Sequence, residues 1–113
     1  MFTIYHNPRC SKSRQTLALL EEKGVDITIV EYLKNPLTES EIKSLLTKLD
    51  KSPIEMMRTK EAEFSEQNLK GADDLTLIKA MSNTPKLIER PIVVKGNKAV
   101  IGRPPENVLT LIS

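Results

Sequence analysis

"FTIYHNPRCSKSRQTLALLEEKGVDITIVEYL", residues 2 to 33, changes its hydrophobic period twice, and those two changes decide the fold. Residues 2 to 6 carry alternating β-formers and run into Asn7-Pro8, which reads as a strand entering a turn. From Ser11 the chain turns to good helix formers, with an apolar patch around Leu17 and Leu20, and Gly24 supplies a stop. Val25 to Leu33 is β-rich again. The spacing therefore predicts a β-α-β unit whose two strands lie parallel, because a connection of this length crosses over rather than turning back. Cys10 falls at the exit of the first strand and the first turn of the helix.

Outward from this stretch, Thr38 and Glu41 form a capping-box pattern, and Ile42, Leu45, Leu46 and Leu49 follow at helical spacing. Ser52-Pro-Ile-Glu55 repeats the box with Pro53 at the favoured first helical position. It opens a short helical piece leading to Met56, Met57 and Arg58; these methionines, with Met81, read as packing residues. Leu75, Ile78 and Met81 mark another helix, begun by Asp73-Asp74. After Pro91, two apolar β-branched runs are separated by Gly96-Asn97, a two-residue hairpin signal. Pro104, Pro105 and "ENVLTLIS" close the chain with a helix. The order is β-α-β, a helical middle and β-β-α. It predicts an α/β protein with a mixed four-stranded sheet, resembling the thioredoxin fold, in a single domain over residues 1–113 with a helical insertion at about 38–90.

The composition supports a folded domain: 113 residues, 39% apolar and 28% charged, with seven prolines and four glycines. The N-terminus shows no basic segment followed by an apolar run, and no stretch approaches the roughly 18 apolar residues of a membrane span, so a cytoplasmic protein without membrane contact is expected. A net charge of +2 is too small to mark a phosphate-backbone binder, which excludes nucleic acid as the expected partner. One cysteine cannot close an internal disulfide, so it is a free thiol in a reducing compartment or an intermolecular link. One histidine and one cysteine without other clustered soft ligands fall short of zinc coordination, and no metal is expected.

A strand-to-helix junction presents free backbone N–H groups and the positive end of a helix dipole, and Arg9, Lys12, Arg14 and His6 stand near Cys10 in sequence. A buried apolar filler does not need such neighbours. Lowering a thiol's pKa by two units from ~8.5 raises its thiolate fraction at pH 7 about 25-fold, but a Brønsted slope near 0.4–0.5 removes about eight-fold of the gain. Larger rate terms must come from holding a substrate in line and stabilising charge on leaving oxygens. That directs attention to arginines. Arg58 follows the short helix, while Arg90 and Arg103 each precede a proline at the two ends of the hairpin, where the backbone direction is restrained.

"YHNPRCSKSR", "MMRTKE", "ERPIVV" and "GRPPE", in this order over nearly the whole chain, resemble the single-thiol arsenate reductases that depend on glutathione and glutaredoxin. The resemblance implies that Cys10 is the nucleophile, that His6 favours its thiolate, and that Arg58, Arg90 and Arg103 hold the oxyanion. Ser13 and Arg14 match the serine and arginine at the family's helix start, and Pro91 is implied to follow a cis peptide bond. Lys12 stands where the best-known members carry small neutral residues. The implied reaction reduces arsenate to arsenite through a Cys10-arsenate adduct, with glutathione as co-substrate, glutaredoxin as protein partner, no bound cofactor and a monomeric enzyme. The chemistry fits: arginine's planar fork matches a tetrahedral oxyanion and stays protonated at any working pH. With no second thiol in the chain, another molecule must resolve the adduct.

Two other readings compete. Related thioredoxin-like regulators bind RNA polymerase and sense redox state through C-x-x-C, so the chain could be a non-catalytic redox or transcription-regulator module; here the run is C-S-K-S, with Ser13 in place of the second thiol. Low-molecular-weight phosphatases use C-x5-R, and this chain has Thr16 where that arginine belongs. By spacing alone, His6 also fits a strand-end residue hydrogen-bonded to backbone.

Overall fold

In the computed structural model, which describes residues 1 to 112, the elements in chain order are β1 (Phe2–Tyr5), α1 (Ser11–Glu22), β2 (Ile27–Val30), α2 (Glu39–Leu49), α3 (Ala62–Glu66), α4 (Asp74–Asn83), β3 (Ile92–Lys95), β4 (Lys98–Ile101) and α5 (Leu109–Ile112). Short 3-10 turns occupy Pro53–Met56, Pro85–Leu87 and Pro105–Val108. The chain divides into two compact units: Met1–Asn35 together with the segment from Arg90 onward, and Pro36–Glu89.

The first unit is built on a four-stranded sheet in the order β2-β1-β3-β4. β1 and β2 are parallel, in register from Phe2 opposite Ile27 to Tyr5 opposite Val30, as the crossover through α1 requires. β3 runs antiparallel to β1, with Tyr5 opposite Ile92, and β4 antiparallel to β3, with Ile92 opposite Ile101. The sheet is thus mixed and thioredoxin-like, as expected. Phe2, Ile4 and Val93 from the sheet pack with Leu20 of α1, Val108 of the 3-10 turn Pro105–Val108 and Leu111 of α5 into one buried cluster. Gly96 turns the hairpin at a φ of +59°, a conformation open to glycine and one that matches the twist of the flanking strands.

β2 is shorter than the Val25–Leu33 run suggests. The N–H groups of Lys34 and Asn35 both donate to the carbonyl of Glu31, at 3.0 Å each, and this turn ends the strand at Val30. The closing helix begins as a 3-10 turn at Pro105 before becoming α5. Two X-Pro bonds are cis: the expected Arg90–Pro91, and also Arg103–Pro104, which the sequence reading did not single out.

In the second unit the capping box forms as its pattern predicts: the Glu41 N–H donates to Thr38 Oγ1 at 3.1 Å and the Thr38 N–H to Glu41 Oε1 at 3.0 Å. Ile42, Leu45, Leu46 and Leu49 of α2 are all buried. Asp73 caps α4 by accepting from the Thr76 N–H at 2.8 Å. Leu77, Ile78, Ala80 and Met81 form the buried face of α4, while Leu75, which the periodicity places with Ile78, is 48% exposed. Met56, Met57 and Met81 are buried, as packing residues should be. Among the described residues no helix is long and apolar enough to cross a membrane.

Candidate active site

The register of the first unit decides what meets at one end of its sheet. β1 ends at Tyr5, opposite the start of β3 at Ile92, which in turn faces the end of β4 at Ile101. The residues just past these positions, His6 to Cys10, Arg90 and Arg103, therefore leave from the same edge of the sheet. Two of these segments are joined there by hydrogen bonds: the Gly102 N–H donates to Pro91 O at 2.8 Å, and Arg103 Nη1 donates to Arg90 O at 3.4 Å.

The loop from His6 to Cys10 is held from within. Asn7 to Cys10 form a tight turn with Pro8 at its second position, closed by the Cys10 N–H donating to Asn7 O at 3.0 Å; Asn7 Oδ1 also accepts from the Arg9 N–H at 3.0 Å. Proline presets the φ that this turn position needs, and asparagine is favoured before it. Cys10 then becomes the N-cap of α1 with an extended backbone, φ −93° and ψ 123°, and its side chain makes no capping hydrogen bond. Its carbonyl accepts from the Arg14 N–H at 3.0 Å, the first rung of the helix. The thiol is half-buried at a helix end whose first N–H groups have no intrahelical acceptor and whose dipole favours negative charge.

Ser13 ties the loop to the helix. It is fully buried, its Oγ accepts from the Asn7 N–H at 3.0 Å, and His6 Nδ1 lies 2.6 Å from the same oxygen. Burial holds the His6 imidazole below its ordinary pKa of 6.5; the Glu31 carboxylate opposes the shift and the Arg14 charge reinforces it. A neutral ring and a buried hydroxyl that already accepts one N–H are both satisfied when the hydroxyl donates to Nδ1, leaving the ring proton on Nε2. His6 thus braces Ser13 and adds no positive charge at neutral pH. Arg14 reaches back across the loop, with Nη1 donating to Pro8 O at 3.0 Å.

Arg90 is half-buried, and its Nε is enclosed without a hydrogen-bond partner; Arg103 is exposed. Arg58 lies in the second unit. An isolated antiparallel bridge pairs Met57 with Ile88, flanked by the Arg58 N–H donating to Leu87 O at 2.7 Å and the Glu89 N–H to Met56 O at 2.8 Å. Arg58 Nη1 pairs with Glu61 Oε1 at 2.6 Å, and its Nε lies 3.6 Å from Glu89 Oε1. The structure therefore ties His6, Cys10, Ser13 and Arg14 into one loop-and-helix cluster, joins Arg90 to Arg103 at the same end of the sheet, and holds Arg58 by Glu61 and Glu89 in the helical unit.

The sequence reading took Asn7-Pro8 as the turn after the first strand but gave Asn7 no part in holding Cys10; the Asn7 carbonyl and side-chain oxygen close the turn by accepting from the Cys10 and Arg9 N–H groups. That reading passed over Gly102, which meets Thr16 across 86 positions, a contact with no local signature.

A motif set in register with a known family and a sheet edge that collects the same residues invite comparison with known proteins. A model of the ArsC family matches residues 5–111. An arsenate reductase from Haemophilus influenzae is 49% identical over 112 residues, covering 96% of this chain and 94% of the relative. A relative from Escherichia coli (strain K12), named uncharacterized protein YfgD, is 51% identical with coverage of 96% and 94%. The solved structure of an arsenate reductase from Vibrio cholerae superposes with a TM-score of 0.94 at 47% identity, over 96% of this chain and 95% of that one. With the family model spanning nearly the whole chain and relatives near half identity, this chain belongs to the ArsC family.

Proposed function

We propose that the protein reduces arsenate to arsenite with Cys10 as the nucleophile, glutathione as the co-substrate and glutaredoxin as the protein that completes the reduction. The observation that carries the proposal is the convergence within the sheet unit: a thiol at an uncapped helix N-terminus, and two arginines leaving the same sheet edge. Membership of the ArsC family supports arsenate as the substrate.

In the proposed reaction the Cys10 thiolate attacks arsenic, a sulfur–arsenic bond forms, and one oxygen leaves as water after taking up a proton from solvent. Arg90 and Arg103 hold the remaining oxygens through charge-assisted hydrogen bonds, which strengthen as charge builds on the departing oxygen. Arg58 is assigned the same task by the family resemblance. Reduction from arsenic(V) to arsenic(III) needs two electrons, and the chain holds one cysteine. Glutathione attacks the arsenic of the adduct and displaces a second oxygen as water. A glutaredoxin thiol then attacks the glutathione sulfur, and the two external sulfurs leave as a disulfide with the sulfur–arsenic electron pair remaining on arsenic as arsenic(III). Water hydrolyses the Cys10–arsenic bond to release arsenite. The balance is arsenate plus two thiols to arsenite, a disulfide and water.

The test is arsenate-dependent NADPH oxidation in the presence of glutathione, glutaredoxin and glutathione reductase. Cys10→Ser should abolish it. Arg90→Lys and Arg103→Lys keep the charge but lose the fork; losing one charge-assisted hydrogen bond, worth about 1.5–3 kcal/mol, should lower kcat/KM by roughly 10- to 150-fold. Arsenite release by Cys10→Ser at the wild-type rate would refute the assignment. A disulfide-switch module is disfavoured because the position of the second thiol is taken by Ser13, whose hydroxyl is committed to His6 and Asn7.

A further inference from the structure

Gly102 is buried, and its backbone does not need glycine, since its φ lies outside the left-handed region. What it needs is space. A Cβ at this position would stand 2.7 Å from Thr16 Oγ1, 2.9 Å from Pro91 Cγ and 3.1 Å from Thr16 Cγ2. Real Cβ atoms essentially never come as close as the first two distances, so α1 and Pro91 rest directly on the backbone of residue 102. Thr16 is itself fully buried; its Oγ1 donates to Lys12 O at 2.8 Å and lies 3.4 Å from Gly102 O, which fixes the hydroxyl against both the helix and the loop. The Gly102 N–H donating to Pro91 O at 2.8 Å closes the triangle.

Each corner of this triangle is coupled to a residue of the site. Gly102 precedes Arg103, Pro91 follows Arg90, and Thr16 sits under two turns along the helix that Cys10 caps. We infer that Thr16, Gly102 and Pro91 form the spacer that sets the distance between the Cys10 sulfur and the guanidinium groups of Arg90 and Arg103, making them positioning residues for oxyanion capture. The inference rests on the proposed use of those arginines but not on turnover. Interior packing is close to that of organic crystals, so a methyl group at residue 102 is not absorbed locally; it drives helix and loop apart. Displacements of about 1 Å at a reacting centre can cost on the order of 100-fold in rate.

The experiment measures the rate at which iodoacetamide alkylates Cys10 over a range of arsenate concentrations, which yields a protection constant without any turnover. Gly102→Ala should raise that constant about ten-fold and lower kcat/KM in the coupled assay by up to roughly 100-fold. Thr16→Ala removes two of the three colliding atoms, so the double variant Gly102→Ala/Thr16→Ala should recover at least three-fold of the lost protection. The protection constant is read on protein shown by circular dichroism to be folded at the assay temperature, so a loss of general stability does not enter it. If Gly102→Ala does not fold, Thr16→Ile, which enlarges a fully buried side chain already resting on the loop, applies a push from the helix side and should raise the same constant. A protection constant within two-fold of wild type in Gly102→Ala, or a double variant no better than the single one, overturns the inference, as does wild-type protein that arsenate does not protect. Wild-type protein that is protected but does not reduce arsenate defeats the reductase reading and leaves this one standing.

Discussion

Replacing Ser13 by alanine tests how the nucleophile's loop is held. The substitution removes one oxygen from a fully buried position and strands two partners: the Asn7 N–H, which donates to it at 3.0 Å, and His6 Nδ1, 2.6 Å away. Leaving a buried polar group unsatisfied costs about 1–3 kcal/mol, and His6 is buried while Asn7 is half-buried and regains some water. A loss of about 2–4 kcal/mol follows, which for a chain of 113 residues corresponds to a drop of roughly 8–17 °C in Tm at an unfolding entropy near 2.1 cal/mol/K per residue. Urea unfolding followed by circular dichroism measures it, with the slope m checked for constancy so that the shift in midpoint reports stability alone. A cycle with His6→Ala separates the pair: the double variant should be less destabilised than the sum of the singles by ~0.5–3 kcal/mol, because the two side chains share one bond. A Ser13→Ala protein whose Tm lies within 2 °C of wild type, or a cycle with no coupling, would show that this hydroxyl does not hold the loop.

Two further outcomes follow from the same geometry. Burial lowers the His6 pKa from 6.5, so the unfolded chain binds the proton more readily than the folded one; stability is fully present above about pH 6.5 and falls as the pH drops through the folded value, and wild type should lose more Tm between pH 7.5 and 5 than His6→Gln does in parallel melts. Thr38→Ala breaks the capping box of α2, where both bonds are present, and should cost about 1 kcal/mol in urea unfolding while leaving kcat/KM of the coupled assay unchanged; a loss below 0.3 kcal/mol would mean that water replaces the cap without penalty.

Elements that announce themselves by period or by turn chemistry were legible before any coordinates. The β1-α1-β2 unit follows from two changes of hydrophobic spacing, and the β3-β4 hairpin from Gly96-Asn97, because both signals are local. α3 was not seen: its five residues, AEFSE, bury only Phe64, and one apolar residue has no period. Leu75 was misplaced on α4 because a spacing of three residues fits either edge of an apolar stripe, and the buried face is set by Leu77, Ile78 and Met81. The candidate arginines could be singled out from sequence, since each is marked by motif or by a following proline. Their supports could not. The Ser13 contact with His6 depends on a strand end and a helix start folding onto each other, and the Thr16–Gly102 contact joins positions 86 apart.

The three arginines are not equivalent, and their surroundings rank them. Arg58 faces Glu61 and Glu89, and Lys86 lies 3.5 Å from Glu61, so its charge is matched within its own unit and its guanidinium is held by carboxylates. Such partly exposed pairs add little to stability, but they fix the orientation of the fork. Arg90 and Arg103 have no carboxylate partner among the described residues. One has an enclosed Nε without an acceptor, and the other spends Nη1 on a carbonyl at 3.4 Å, a long and weak bond. An oxyanion would supply the acceptor that the Arg90 side chain lacks and a shorter one than Arg103 now has. In the proposed reaction it would also bring the negative charge that these two cations, leaving one end of the sheet, do not find among the described residues. Under the proposed reaction the electrostatic gain on binding an oxyanion falls on Arg90 and Arg103, with His6 neutral.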